Sequence, residues 1–156
     1  MFKFDWIVPS VLAAGPIPGS PQDISRLHAE GIRAIVSLTE HPLTAWRSFL
    51  AEPPALLGIE MYHSPIEDFG APSEMQANAI VDYIDAMQAA GKPVYLHCHA
   101  GAGRTGTILH VYFMRHGQSL HQAVLSVQAR RLSCYFYMLS ETQRSFLQRY
   151  ARQLST

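Results

Sequence analysis

Cysteine is scarce in this 156-residue sequence, long apolar runs are missing, and neither sign of charge is in excess. Two cysteines, Cys98 and Cys134, are too few for a disulfide framework, which favours a reducing compartment. No apolar run is long enough to cross a bilayer. The opening residues, MFKFDWIVPS, also lack the apolar segment and cleavage site of a secretory signal. We therefore expect a cytoplasmic protein that has no membrane as a partner.

The charge balance limits the possible partners further. Lys and Arg number 12, Asp and Glu also number 12, and like charges form no block along the chain. A nucleic acid is therefore not expected as a partner, and any anion must be recognised locally. At 48% apolar composition, the length suits one globular domain and is too short for two. We expect a single domain spanning residues 1–156.

Strand-like and helix-like segments alternate along the chain. Short apolar strands are predicted at residues 4–7, 11–14, 33–38, 58–64 and 93–97. Helices are predicted from Ser20 to Gly31, weakly at 41–50, from Ser73 to Gly91, and at 105–114, 120–130 and 140–154. Ser73 with Gln76 and Ser140 with Gln143 fit capping boxes. This alternation predicts an α/β fold with a mainly parallel sheet, helices on both faces, and a ligand beyond the carboxyl ends of the strands.

One predicted strand ends in the most unusual stretch of the chain, KPVYLHCHAGAGRTGT, residues 92–107. Within it, GAGRTG fits the G-x-G-x-x-G pattern of dinucleotide-binding loops. That chemistry needs an acidic residue about 20 positions later, but no Asp or Glu occurs between Gly106 and Glu141. No lysine follows the glycines either, which excludes a Walker-type loop. We therefore do not expect a dinucleotide or any other cofactor.

The same stretch fits a thiolate held in a phosphate cradle. A loop at a helix N-terminus directs backbone N–H groups at an anion, and Gly101 and Gly103 let the chain approach it closely. Arg104, six positions after Cys98, can bind two phosphate oxygens with its planar fork. The predicted phosphate-binding residues are His99, Ala100, Gly101, Ala102, Gly103 and Arg104.

Cys98 is the predicted nucleophile of this loop. The amides and helix dipole that attract phosphate also stabilise a thiolate, so we expect Cys98 to be ionised near neutral pH. Thr105 can place its hydroxyl towards the sulfur, and His97 is expected to support the loop by a hydrogen bond. Consecutive strand residues point to opposite faces, so His97, Cys98 and His99 should not form a metal site. Cys134 is interpreted as a small core or semi-exposed residue, with a redox pairing to Cys98 left open.

These residues resemble a known family. HCHAGAGRTG is similar to the H-C-x-x-G-x-x-R-[ST]-G signature of the cysteine-based protein tyrosine phosphatases. Together with FDWIVPSVLAAGPIP, GIRAIVSLTE and PIEDFGAPS, it resembles the small atypical dual-specificity phosphatases of the VHZ type. The resemblance covers about residues 4–125, beyond which RRLSCYFYMLS replaces the family's Arg-Pro segment, and Gln143 is similar to a glutamine of the family. It implies a protein tyrosine phosphatase-like fold.

The resemblance also implies a general acid. The family takes an aspartate from a loop about thirty residues before the nucleophile, and Asp68 lies 98 − 68 = 30 positions before Cys98. Glu67, which occupies the place of a proline in the family, is the alternative. Cys98, Arg104 and Asp68 would then hydrolyse phosphomonoesters through a cysteinyl-phosphate without a metal.

Two other classes of function stay open at this point. The loop could serve a phospho-binding module without turnover, or a thiol-based redox or arsenate-handling enzyme that uses Cys134 as its resolving cysteine. The expected partner is a phosphorylated protein or a small phosphomonoester. Neither the natural substrate nor the oligomeric state can be read from the residues.

Overall fold

A computed structural model describes residues 2–45 and 57–156 of the chain. A five-stranded sheet lies at its centre, with strand order β1-β2-β5-β3-β4. The first strand pairs antiparallel with the second, and the other three pairings are parallel. The strands are β1 Asp5–Val8, β2 Leu12–Gly15, β3 Ala34–Ser37, β4 Glu60–His63 and β5 Val94–His97.

Five α-helices cover both faces of this sheet, as predicted. They are α1 Pro21–Ala29, α2 Glu74–Ala89, α3 Gly103–Arg115, α4 Leu120–Arg130 and α5 Glu141–Leu154. Alternate residues of β3 face opposite sides, so Ile35 packs with Leu27 of α1 while Val36 packs with Ile80 of α2 and Ile108 of α3. Each face of the sheet therefore has its own apolar core.

The helix starts follow their predicted caps, with one difference. Ser140 and Gln143 form the predicted capping box of α5. Ser73 accepts from the backbone N–H of Gln76, but the Gln76 side chain donates to Ser64 Oγ and Pro65 O instead of closing the box. The weak helix predicted at 41–50 is a single 3-10 turn at Leu43–Ala45, and its remaining residues lie outside the described ranges. In the described ranges, no helix has both the length and the apolarity to span a membrane.

The central strand β5 fixes the position of the predicted site. It lies between β2 and β3, parallel to both, so three chain segments leave the sheet at one edge. Leu38 N–H donates to His97 O at 2.9 Å, and Ile17 N–H donates to His99 O at 2.9 Å. The segments after β2, β3 and β5 therefore meet around Cys98, at the edge where parallel sheets bind ligands.

Candidate active site

The loop from Cys98 to Arg104 has its carbonyl groups bonded to the surrounding structure. Each carbonyl oxygen from residue 98 to residue 103 accepts at least one hydrogen bond. The donors are His97 Nδ1 to Cys98 O, Ile17 N to His99 O, Arg131 Nη2 to Ala100 O, Arg131 Nε and Cys134 Sγ to Gly101 O, Gly106 N to Ala102 O, and Thr107 Oγ1 to Gly103 O. Among the described residues, no backbone N–H of residues 99–105 donates to a protein acceptor. Because N–H and C=O point in opposite directions across a trans peptide, outward carbonyls direct the N–H groups into the loop. The result is a concave array of donors without an acceptor, suited to an anion.

Two glycines of the loop are restricted by different neighbours. Gly101 has φ +73°, and a Cβ there would lie 2.2 Å from Gly15 O, so only glycine fits. A Cβ on Gly103 would lie 3.1 Å from the side-chain amide of Gln143. The contact that restricts Gly103 is therefore with α5, whereas the sequence predicted a close approach to the anion.

Cys98 lies between the end of β5 and the start of α3. Its side chain is buried, with 3% of the residue exposed, and Sγ accepts a hydrogen bond from Thr105 Oγ1 at 3.2 Å. The helix N-terminus contributes partial positive charge close to this sulfur. The predicted partnership of Cys98 and Thr105 therefore has the geometry that a thiolate needs.

Arg104 is buried, with 4% exposed, and its guanidinium is only partly satisfied. Nη1 donates to Glu40 Oε1 at 2.6 Å and to Ile66 O at 3.0 Å, and Nη2 lies 3.5 Å from Asp68 Oδ1. Nε is buried and has no partner among the described residues. The edge of the guanidinium formed by Nε and Nη2 is therefore available for two oxygens of a tetrahedral anion.

Glu40 is a site residue that the sequence analysis missed. Its Oε2 accepts from Asp68 N–H at 3.4 Å, so one carboxylate contacts both Arg104 and the loop of residues 67–70. Its own backbone N–H, followed by the Arg104 guanidinium, lowers the pKa of the Glu40 carboxyl. The available signal was its position just after β3, at the same sheet edge as Cys98.

The loop of residues 67–70 carries the two predicted acid candidates. Asp68 lies beside Arg104 and accepts from Phe69 N–H at 3.0 Å. Phe69 has φ +64°, and its carbonyl accepts from Ser140 Oγ at 2.7 Å. Gln143 Nε2 donates to Gly70 O at 3.1 Å. Helix α5 therefore holds the loop that presents Asp68 to the cradle.

Glu67 is placed differently from Asp68. Its backbone carbonyl accepts from Gly70 N–H at 2.8 Å, which closes the turn. Among the described residues, its carboxylate forms no ion pair with Arg104. Of the two candidates, Asp68 is therefore the one that lies beside the Arg104 guanidinium.

His97 occupies the position expected for a supporting residue. Nδ1 donates to Cys98 O at 2.8 Å, which leaves Nε2 to accept from the Ser37 hydroxyl at 2.7 Å. Burial lowers the pKa of His97 to about 4, so the ring is neutral at physiological pH. A neutral, doubly bonded imidazole suits loop support and does not suit acid catalysis.

Cys134 lies on the outer side of the loop. It is fully buried, and Sγ donates to Gly101 O at 3.2 Å. Burial raises the pKa of Cys134 to about 12, which keeps the thiol protonated. Both cysteines are free thiols. Across the described ranges, no group of three or more His, Cys, Asp or Glu side chains is arranged to hold a metal ion.

A thiol inside a ring of inward N–H groups at a helix N-terminus, on a mainly parallel sheet, defines the protein tyrosine phosphatase class of fold. A family model described as "Polymorphic toxin system, DSP-PTPase phosphatase" matches residues 16–118. The chain therefore belongs to this dual-specificity phosphatase family.

Individual relatives and solved structures agree with this assignment. The chain is 30% identical over 119 residues to phosphatidylglycerophosphate phosphatase PTPMT2 of Arabidopsis thaliana, covering 73% of this chain and 50% of that protein. It is 29% identical over 136 residues to the human dual specificity protein phosphatase CDC14A, covering 79% of this chain and 21% of that protein. The chain thus spans about half or less of the length of these curated relatives.

Crystal structures cover the chain more completely. Tk-PTP in its active form is 28% identical with a TM-score of 0.82, covering 96% of this chain and 97% of that one. Human DUSP28, at 20% identity and a TM-score of 0.77, covers 98% of both chains and supports the fold alone.

Proposed function

We propose that the protein is a phosphomonoester hydrolase that acts through a cysteinyl-phosphate on Cys98. The observation that carries this proposal is the unsatisfied donor set around that sulfur. The buried Arg104 Nε and the backbone N–H groups of residues 99–105 have no protein acceptor within the described chain. Leaving the buried Nε without an acceptor costs free energy, and a bound phosphate would offer acceptor oxygens both to Nε and to the loop amides.

In the first step, Cys98 Sγ attacks phosphorus in line with the leaving oxygen. The S–P bond forms as the P–O bond breaks, and Asp68 gives its proton to the departing oxygen. Arg104 and the loop amides stabilise the charge on the three non-reacting oxygens. The products are a free alcohol or phenol and a phosphorylated Cys98.

In the second step, water attacks the phosphorus of this intermediate. Asp68, now a carboxylate, accepts the proton of the water, and the S–P bond breaks to return the thiolate and release inorganic phosphate. The Thr105 hydroxyl, 3.2 Å from Sγ, donates to the sulfur as its negative charge returns. This sequence of steps needs no metal ion or cofactor.

The preferred substrate in this proposal is a phosphorylated protein, with phosphotyrosine favoured. Phe69 follows the acid Asp68 and is 74% exposed. The carbonyl of Phe69 is bonded to Ser140, close in sequence to Tyr137 and Met138, which are 69% and 68% exposed. An exposed aromatic and aliphatic rim beside the acid loop suits a phosphate carried on an aryl group.

A phospholipid is the second candidate substrate. The relative from Arabidopsis is named as a phosphatidylglycerophosphate phosphatase, and the same exposed rim could contact acyl chains. Two exposed carboxylates, Glu40 and Asp68, stand at the mouth of the cradle and disfavour a headgroup with further negative charge. Phosphate release measured side by side from a phosphotyrosine peptide and from phosphatidylglycerophosphate vesicles would distinguish these two candidate substrates.

The decisive experiment compares variants on aryl phosphates with different leaving groups, in the presence of a chelator. Cys98→Ser should lose essentially all turnover, and Arg104→Lys about a hundredfold or more in kcat/KM, because one ammonium cannot replace a bidentate fork. Asp68→Asn should lose progressively more activity as the leaving group becomes more basic.

Glu67→Gln is the matched control for Asp68→Asn and should stay near wild type across the series. Cys134→Ser addresses the redox alternative and should also stay active, because the proposed mechanism uses one cysteine. A wild-type protein that binds phosphate without turnover would instead identify a phospho-binding module. A steep leaving-group dependence in Glu67→Gln rather than Asp68→Asn would move the acid role to Glu67.

A further inference from the structure

Arg131 contacts the phosphate loop from outside. It follows the last residue of α4, and its side chain is 11% exposed. Nε donates to Gly101 O at 2.8 Å and Nη2 to Ala100 O at 3.4 Å. Nη1 donates to Asp5 Oδ2 of β1 at 2.8 Å. All three guanidinium nitrogens therefore have acceptors, two of which are loop carbonyls.

These contacts determine which way two loop amides point. The carbonyl of one residue and the N–H of the next belong to the same planar peptide and point in opposite directions. Holding the carbonyls of Ala100 and Gly101 outward therefore turns the N–H groups of Gly101 and Ala102 inward. Gly101 has φ +73°, one of several conformations that glycine adopts readily, so the contacts rather than the residue's own preference select it.

Asp5 accepts a hydrogen bond from the third guanidinium nitrogen, Nη1, and neutralises the charge of Arg131. With Asp5 bound 2.8 Å away, Arg131 adds little net positive charge behind the cradle. Its contribution is therefore geometric, and it depends on three N–H groups fixed in one plane. A lysine, with one charged nitrogen, cannot reach the three acceptors together.

We propose that Arg131 is a positioning residue for the phosphate, clamped by Asp5 and acting through the amides of Gly101 and Ala102. This role rests on the proposed phosphatase function, since it concerns the same cradle. This role assigns a function to the start of the segment RRLSCYFYMLS, of which Arg131 is the second residue. It also makes strand β1 part of the support of the active site.

The chain offers a matched control in the neighbouring Arg130. Arg130 donates to Ser126 O of its own helix, and its guanidinium carbon lies 5.2 Å from the Phe113 ring centroid. No hydrogen bond joins Arg130 to the phosphate loop within the described residues. Arg130→Gln and Arg131→Gln remove the same charge from adjacent positions.

The experiment measures two quantities for wild type, Arg130→Gln, Arg131→Gln, Arg131→Lys and Asp5→Asn. The first is the calorimetric affinity for tungstate, an unreactive tetrahedral oxyanion. The second is kcat/KM for aryl phosphates across a series of leaving groups. We expect Arg131→Gln and Arg131→Lys to lose about ten- to a hundredfold in both, because misplaced donors weaken oxyanion binding.

The dependence on the leaving group should stay as in wild type, because Asp68 is untouched. This readout separates misplaced amides from general damage to the fold. Asp5→Asn should lose less than Arg131→Gln, and a variant that combines Asp5→Asn with Arg131→Gln should lose no more than Arg131→Gln alone. Asp5→Asn also carries the test if Arg131→Gln fails to fold.

Two results would overturn the inference in different ways. If the wild type is active and Arg131→Gln binds tungstate as tightly as Arg130→Gln does, the positioning role of Arg131 is wrong but the proposed function stands. A wild type without tungstate binding or turnover would overturn the proposed function and this inference with it.

Discussion

At the scale of single residues, the orientation of Arg104 depends on Glu40. The Glu40 carboxylate and Ile66 O both accept from Nη1, while Nε has no partner among the described residues, so one edge of the guanidinium faces the cradle. The same negative charge also repels an incoming phosphate. The two effects oppose each other, and a pair of substitutions can tell which is larger.

Glu40→Ala should lower kcat/KM for aryl phosphates about tenfold, since it removes a charge-assisted acceptor from a buried arginine. Glu40→Gln keeps an acceptor oxygen but no charge, and should retain most of the activity. Steady-state kinetics at a pH near 7 measures both. If repulsion is the larger effect, both variants should bind phosphate more tightly than wild type, and the claim that Glu40 contributes mainly by orienting Arg104 would be wrong.

Residue types and spacing predicted part of this site. The Cys98, Arg104 and Thr105 cluster could be predicted because its residues lie within one short loop of the sequence. Glu40 and Arg131 could not, because their contacts cross 64 and 30 positions of sequence respectively. For Glu40 the sequence offers only its position just after β3, and the contacts themselves follow from how the chain after β3 and after α4 packs against the end of β5.

At the scale of secondary-structure elements, the residues at the start of α5 both cap the helix and bind the loop of residues 67–70. Ser140 Oγ accepts from Gln143 N–H at 3.1 Å and donates to Phe69 O at 2.7 Å. Gln143 Oε1 accepts from Ser140 N–H, and Nε2 donates to Gly70 O. One capping box therefore starts a helix and holds the loop that carries Asp68.

Ser140→Ala should therefore affect stability and chemistry together. Losing the cap should cost about 1 kcal/mol of unfolding free energy. Releasing Phe69 O should loosen the acid loop, so that kcat falls several-fold for poor leaving groups and little for good ones. Urea unfolding and the leaving-group series measure these two effects.

Ser119→Ala is the control for this prediction. Ser119 forms the same capping box with Gln122 at the start of α4. In the described structure its side chain has no bond to the acid loop. Ser119→Ala should lose similar stability with unchanged leaving-group dependence, and equal kinetics in the two variants would show that the cap of α5 does not hold Asp68.

Element types were easier to predict than their arrangement. Helices were bounded to within a residue or two where a Ser cap and a Gly stop flank an apolar pattern, as for α1 between Ser20 and Gly31. The strand order was not predictable, because nothing local places β5 between β2 and β3. The second task of Ser140 depends on a partner 71 positions away.

At the scale of the whole molecule, two buried histidines couple folding to pH. His97 and His110 are fully buried, and burial lowers the pKa of each to about 4. His110 Nδ1 donates to Gly106 O at 2.6 Å, and its buried Nε2 has no partner among the described residues. Both rings are therefore neutral in the folded protein, whereas in the unfolded chain they titrate near 6.5.

This difference predicts a loss of stability in mild acid. Between pH 6.5 and 4 the unfolded chain binds more protons than the folded protein, so the free energy of unfolding falls as the pH falls. Each histidine should contribute roughly 2 kcal/mol of loss between pH 7 and pH 5. Below pH 4 both states are protonated, and these two groups contribute no further loss.

His110→Phe isolates one of the two contributions. Phenylalanine has a ring of similar size, which can pack against Phe136 as His110 does at a centroid distance of 5.8 Å. Its unfolding free energy should differ between pH 7 and pH 5 by roughly 2 kcal/mol less than that of wild type, measured by urea titration. His121→Gln, at an exposed position, should keep the wild-type difference. If His110→Phe also keeps it, the imidazole of His110 is protonated in the folded protein, and the acid sensitivity must come from other groups.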